Sequence, residues 1–251
     1  MEMGMEIKGL TTGTSRVETA GRKHPAPTCG ISGICMVEVT GKISLCSEQD
    51  SGCPVLQRTR AKNLARCGVH RRFADCTLAN IAQAGVPFSI REQYHLVLNY
   101  ARNLAENISS GWGLLLKGAV GTMKTSLAVA VLQEQIAAGG GGYFITMSAL
   151  LDNIFTLKAI SPGKWAQFEQ QLRETPLLVL DDLGSEHTEG WVLTKVDAII
   201  AERYNRCLPL IITTNLTAGQ LRGVYAERVI DRLRATLQVI NFQGPSLRPP
   251  G

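Results

Sequence analysis

The chain has 251 residues, 45% hydrophobic and 19% charged, with a formal net charge of +5 at pH 7. That composition supports a packed core and excludes a wholly disordered chain, while no apolar run nears the roughly 18 residues needed to cross a bilayer. The length suits one core domain with a smaller appendage. Seven cysteines, an odd number, argue against a closed disulfide framework and for thiols or metal.

Residues 1–27 are polar, with no uninterrupted apolar stretch of the signal-peptide kind, and read as a flexible tail on a cytoplasmic protein. Residues 28–67 hold Cys29, Cys35, Cys46 and Cys53 among Gly, Ser and short β-type runs, followed by a basic helix ending near Cys67. From Arg58 to Arg72 the charged residues are Arg58, Arg60, Lys62, Arg66, Arg71 and Arg72, with no acid before Asp75. Such a stripe is either a phosphate-contacting surface or a solvated helix face. Residues 68–89 read as irregular, broken by Gly85 and Pro87. Ser89 and Glu92 form a candidate capping box, after which Tyr94, Val97, Leu98, Ala101, Leu104 and Ala105 recur at helical spacing.

The remainder alternates strand and helix. Strands are predicted at 114–117, 143–146, 177–181, 209–213 and 236–242. Helices are predicted at 124–137, 148–158, 164–173, 190–206, 217–222 and 224–235, the 190–206 helix facing inward through Val192, Val196, Ile199, Ile200 and Tyr204. Alternation of this kind implies a parallel sheet covered on both faces by helices. Residues 68–243 would form this domain and 244–251 a short tail, with no separate C-terminal helical lid.

Three strand ends carry chemistry. The first runs into Gly118-Ala119-Val120-Gly121-Thr122-Met123-Lys124-Thr125, with Ser126 opening the next helix. A glycine-bearing loop between strand and helix, ending in lysine and a hydroxyl, is a phosphate-binding arrangement, because loop amides and the helix N-terminus converge on one anion. Lys124 would reach the β- and γ-phosphates, and Thr125 would ligate Mg²⁺. The motif wants glycine before the lysine, and Met123 stands there. A side chain at that place adds bulk and resists unusual φ values. Three outcomes follow: slow turnover, ATP binding without hydrolysis, or loss of nucleotide, with the retained Lys124, Thr125, Asp181 and Asn215 favouring the first two. The second strand, Leu177–Leu180, ends in Asp181 and Asp182. Asp181 would hold the hydrated Mg²⁺ and Asp182 would polarise the attacking water, with Glu186 as a substitute base. The third ends in Thr213-Thr214-Asn215; Asn215 either senses the γ-phosphate or caps the next helix.

Leu180-Asp181-Asp182-Leu183-Gly184, the 211–216 run Ile-Ile-Thr-Thr-Asn-Leu and the 227–233 run Glu-Arg-Val-Ile-Asp-Arg-Leu together resemble the DnaC/IstB group of AAA+ ATPases. Arg203-Tyr204 and the lead-in Gly68-Val69-His70-Arg71-Arg72-Phe73 fit the same likeness, which covers roughly residues 68–242. The resemblance implies a P-loop NTPase of the AAA+ type using ATP and Mg²⁺. It implies a helicase loader acting on a DnaB-type replicative helicase with single-stranded DNA contact. The alternatives are a transposition helper that binds duplex DNA and a transposase, and an adaptor that binds nucleotide without turnover because of Met123. Arg228 resembles an arginine finger that completes a neighbour's site in a homo-oligomer, with Arg232 as the alternative; otherwise Arg228 is a surface residue paired with Glu227 or Asp231. Cys29, Cys35, Cys46 and Cys53, spaced x5, x10 and x6, resemble the cysteine cluster of some helicase loaders. They would hold one Zn²⁺, with His24 as a substitute ligand, or stay as reduced thiols.

Overall fold

The computed structural model describes residues 36–39, 42–45, 54–184 and 190–248. It divides into two compact units, residues 1–59 and 60–251. In the first, strands β1 (Met36–Val39) and β2 (Lys42–Leu45) pair antiparallel, Met36 opposite Leu45. The four cysteines proposed for zinc lie outside the described residues. Helix α1 runs Pro54–Arg66.

The second unit contains helices α2 (Leu78–Gln83), α3 (Arg91–Arg102) and α4 (Leu104–Ser110) before strand β3 (Gly113–Gly118) and helix α5 (Lys124–Ala137). Next come β4 (Gly142–Thr146), α6 (Met147–Ile160), α7 (Pro162–Glu174) and β5 (Leu177–Asp181). Helix α8 (Gly190–Asn205), β6 (Leu210–Thr214), α9 (Ala218–Val224), α10 (Glu227–Thr236) and β7 (Leu237–Phe242) complete it. The five strands from β3 to β7 form one parallel sheet in the order β4-β5-β6-β3-β7.

Period-two alternation divides each buried strand between two cores. Leu114, Leu116, Leu177, Val179 and Ile211 face one cluster with α3 and α5, whereas Leu115, Leu178, Leu180 and Ile212 face the other with residues of α6 to α10. Helix α5 is buried over Leu127–Gln133, so its apolar character runs almost all round rather than in a stripe. The polar exception there, Gln133, accepts from Arg60 (2.6 Å) and donates to the carbonyls of Phe73 and Cys76 (3.0 Å each), tying Arg60 and the 71–76 segment, all of the second unit, to α5. Gly68 (φ 76°) lies so close to β4 that a Cβ would collide with the Phe144 carbonyl oxygen, which explains a glycine at the head of the lead-in segment.

Several local expectations need correction. Residues 68–89 are not irregular throughout: they contain 3₁₀ turns at Arg71–Phe73 and Phe88–Ile90 and the short helix α2, whose first amides are met by the Thr77 side chain (3.1 Å to Asn80 N). Ser89 does not cap α3. The Ile90 amide closes a turn onto the Pro87 carbonyl (3.1 Å), Ile90 is fully buried, and the helix begins at Arg91 without a side-chain cap. The predicted continuous helix breaks at Asn103, where the Asn103 and Asn107 amides bond to Asn99 and Tyr100 carbonyls.

On α8 the inward residue is Arg203, fully buried, while Tyr204 is exposed. The Arg203 fork donates to the carbonyls of Leu172, Thr175, Pro176 and Pro209 at 2.7–3.4 Å, and burial pulls its pKa down to about 9. Five donors in a rigid plane let one residue satisfy the ends of α7 and the starts of β5 and β6 together. Arg203→Ala would leave those carbonyls unmet and is expected to cost about 3–5 kcal/mol, a fall of roughly 10 °C in Tm. A melting curve within 2–3 °C of the parent protein would contradict this role.

Candidate functional site

The C-terminal ends of β3, β5 and β6 converge at one side of the sheet, where open α/β folds bind ligands. The cleft there has a volume of about 280 Å³ and is lined by Val120 to Ser126, Asp182, Asn215, Arg72, Phe73, Cys76, Leu247 and Arg248. The structure thus brings together nearly all the predicted phosphate-loop residues with Asp182 and Asn215. Gly118 and Ala119 meet the same lysine through their carbonyls, and Asp181 lies next in line below Asp182.

The departure at Met123 is accommodated locally. Its backbone takes the left-handed conformation (φ 67°, ψ 12°) that the motif assigns to glycine, and it stands as the N-cap of α5. For a residue with a Cβ this costs about 1–2 kcal/mol. Packing of the Met123 side chain against the core cluster beside α5 offsets part of that strain. The loop therefore keeps its course, and the N-terminal amides of α5 still open toward the cleft.

Lys124 is buried (5% exposed) and its Nζ donates to the carbonyls of Gly118 (2.8 Å) and Ala119 (2.7 Å). Burial lowers its pKa, an effect opposed by Asp182 and Asp181 and reinforced by the positive charge of Arg248. Thr122 closes the loop by donating to the Ala119 carbonyl (2.8 Å).

Asp181 is buried at the end of β5, and Thr213 Oγ1 on β6 donates to its Oδ1 (2.7 Å). Burial raises the Asp181 pKa; hydrogen bonds from Thr213 and Thr125 pull it down, and the neighbouring Asp182 charge pushes it up. The Thr213 hydroxyl also accepts from the Asp182 amide (2.9 Å), and the Leu183 amide donates to the Thr213 carbonyl (2.8 Å). Asp182 itself has φ 58°, tolerable for a short polar side chain that bonds locally. Asn215 Nδ2 reaches toward Asp182 Oδ1 (3.4 Å). It does not cap α9, because Thr217 does so through a capping box with Gln220. Glu186 lies outside the described residues.

The chemistry of these donors fits a magnesium nucleotide. Thr125 and Asp181 offer hard oxygen ligands of the kind Mg²⁺ takes, and a lysine with a helix N-terminus suits a polyphosphate. Among the described residues no cluster of three or more His, Cys, Asp or Glu side chains could hold a metal ion by itself.

Arg228 stands apart from this cleft. Its guanidinium pairs with Asp197 on α8 (2.6 Å), not with Glu227 or Asp231, and Arg232 pairs with the other oxygen of the same carboxylate (2.9 Å). The sequence reading missed Thr213, Asp197 and Arg248. Thr213 was legible in principle, as a hydroxyl near the end of a strand that starts apolar and is buried throughout. Asp197 and Arg248 carry no local signal, because their partners lie 31 or more residues away.

The IstB-like ATP binding protein family matches residues 101–249 of the chain. An ATP-binding protein of an insertion sequence in Mycobacterium tuberculosis is 28% identical over 147 residues, covering 57% of this chain and 58% of that one. The replicative helicase loader DnaC of Buchnera aphidicola subsp. Schizaphis graminum is 25% identical over 174 residues, 68% of each chain. The chain thus spans little more than half the length of the insertion-sequence protein. A crystal structure of the DnaC helicase loader superposes with a TM-score of 0.60 at 29% identity, covering 69% of this chain and all of that one. With a P-loop, paired acids and a polar β6 end converging on one cleft of a five-stranded parallel sheet, this chain belongs to the IstB-like ATP-binding proteins, the DnaC-related branch of the AAA+ fold.

Proposed function

We propose that the protein is an Mg²⁺-dependent ATPase that loads a DnaB-type replicative helicase onto single-stranded DNA. The observation that carries the nucleotide part is the convergence of Lys124, Thr125, Asp182 and Asn215 on one cleft, with Asp181 ending the strand that leads into Asp182. Lys124 would exchange its two loop carbonyls for phosphate oxygens. Thr125 and Asp181 would hold Mg²⁺ and its waters, which screens charge building up on the transferred phosphoryl group. Asp182 would accept the proton of the attacking water, with Asn215 orienting that water. The helicase and DNA parts rest on the likeness to DnaC. A second reading, a transposition helper acting on duplex DNA, is favoured by the match to insertion-sequence proteins.

Calorimetry of the purified chain should show Mg-ATP binding at micromolar or weaker affinity. Met123→Gly should raise affinity or turnover several-fold with a Tm close to that of the parent, because relief of about 1–2 kcal/mol of left-handed strain is offset by lost packing. If neither protein takes up ATP, the nucleotide reading is wrong. Stimulation of turnover by single-stranded DNA and co-elution with a replicative helicase support the loader. Stimulation by duplex DNA, without helicase co-elution, supports the helper instead.

A further inference from the structure

Two adjacent threonines, Thr213 and Thr214, stand fully buried at the end of β6, a strand otherwise made of Leu210, Ile211 and Ile212. A buried hydroxyl is costly unless it is bonded, and valine has nearly the same shape and suits a strand as well. Thr213 uses its hydroxyl twice: Oγ1 donates to Asp181 Oδ1 (2.7 Å) and accepts from the Asp182 amide (2.9 Å). A hydroxyl carries one proton. With the amide on a lone pair, that proton goes to the Asp181 carboxylate. The backbone ladder does not reach this far, since β5 pairs with β6 from Leu178 and Leu210 to Leu180 and Ile212. Beyond Leu180 the turn is tied to β6 by the Thr213 hydroxyl, by the Leu183 amide on the Thr213 carbonyl (2.8 Å), and by the Thr214 hydroxyl on the Leu183 carbonyl (2.6 Å). Asp182 sits inside that bracket with φ 58°, a conformation that a non-glycine residue keeps only where its surroundings hold it.

From this geometry we infer that Thr213 is a positioning residue of the site, which sets the Asp181 carboxylate for Mg²⁺ and holds Asp182 in the turn that brings it to the cleft. The inference rests on the nucleotide reading above and deepens it. Thr213 has no exposed surface from which to touch a nucleotide, so it acts through the acids. Its bond to Oδ1 stops the buried Asp181 carboxylate from rotating, and the acid stands in one orientation before any metal arrives. Such preorganisation matters for Mg²⁺, which demands near-ideal octahedral geometry and gives up its waters reluctantly. The same oxygen anchors the backbone of Asp182, so one atom sets both the metal-side acid and the proposed base. Asn215, two residues further on, reaches toward the Asp182 side chain (3.4 Å to Oδ1). The end of β6 thus holds the Asp182 backbone from one residue and meets its carboxylate from another.

The test is calorimetry of the intact chain with ATP, in the presence and absence of Mg²⁺. The parent protein should bind ATP more tightly with Mg²⁺. Thr213→Val should cut that gain about ten-fold, the worth of one hydrogen bond to a charged group, and leave the Mg²⁺-free affinity unchanged. Thr213→Ser keeps the hydroxyl and should recover the gain. Thr213→Ala removes the hydroxyl without crowding and should lose the gain as valine does. In an Asp181→Ala background Thr213→Val should change the gain no further, because the two residues act as one unit. A merely structural threonine would lower the melting temperature, or both affinities alike, and leave the Mg²⁺ gain as it was. If the parent gains from Mg²⁺ and the valine and alanine variants gain equally, the positioning role is overturned and the nucleotide reading stands. A parent protein whose ATP affinity ignores Mg²⁺ also overturns the positioning role, and one that binds no ATP in either condition overturns both.

Discussion

Lys124→Ala should abolish measurable ATP binding, weakening it at least roughly 100-fold, which is about 2.7 kcal/mol. The magnitude follows from where the ammonium sits. It is buried under the loop, already stripped of most of its water, and held by two carbonyls at 2.7–2.8 Å. Swapping these neutral acceptors for charged phosphate oxygens gains strongly in such surroundings. Alanine removes the cation yet suits the first turn of α5, so the fold should survive. Calorimetry beside a melting curve separates the two effects. An alanine variant that melts normally and still titrates with parental affinity would show that phosphate binds elsewhere.

Arg228→Ala is expected to leave ATP affinity nearly intact and to cut turnover by about 10³-fold, the lower range for an arginine acting on a neighbour's phosphoryl group. Mixing it with Lys124→Ala protein should restore activity, because one subunit then supplies the arginine and the other an intact P-loop. The structure adds a competing account that the same experiment weighs. Arg228 and Arg232 both pair with Asp197, whose side chain is 13% exposed against 66% for Arg228. If Arg228 serves only that pair, its loss costs at most about 1 kcal/mol of stability. In that case Asp197→Ala would reproduce the small effect, and mixtures would do no better than their parts. If Arg228 acts in trans, Asp197 is the residue that presents it, and freeing the arginine should blur turnover without touching ATP affinity.

The five strands, and the P-loop and paired acids at their ends, were determined by sequence alone. Buried parallel strands are continuous apolar runs bounded by polar residues, as in Leu114–Leu116 and Leu177–Leu180, and that pattern is local. The phosphate loop is local as well: its strand, turn and helix are consecutive, within residues 113–137. Helix α5 was legible for the same reason, as an apolar stretch long enough to be buried and closed by glycines. Met123 lies at the boundary of what sequence can tell. Its presence marked a departure, but only the folded loop reveals that the backbone still takes φ 67° and that the side chain leans on the core.

Tertiary structure decided the rest, because the determining contacts join residues far apart in the chain. Arg203 rather than Tyr204 turns inward since four carbonyls, three of them in the distant 172–176 segment, need donors at that place. Ser89 loses its predicted cap to a 3₁₀ turn because the buried Ile90 sets where α3 starts. Asp197 gathers two arginines from α10, and Thr213 joins Asp181 to Asp182, only once α8, α10 and the sheet are in register. The passage of Ser246 and Leu247 across Gly121 leaves no trace in local pattern at all. A loop can advertise the anion it binds, but what closes over it depends on where the last strand delivers the chain, and that is a property of the assembled sheet.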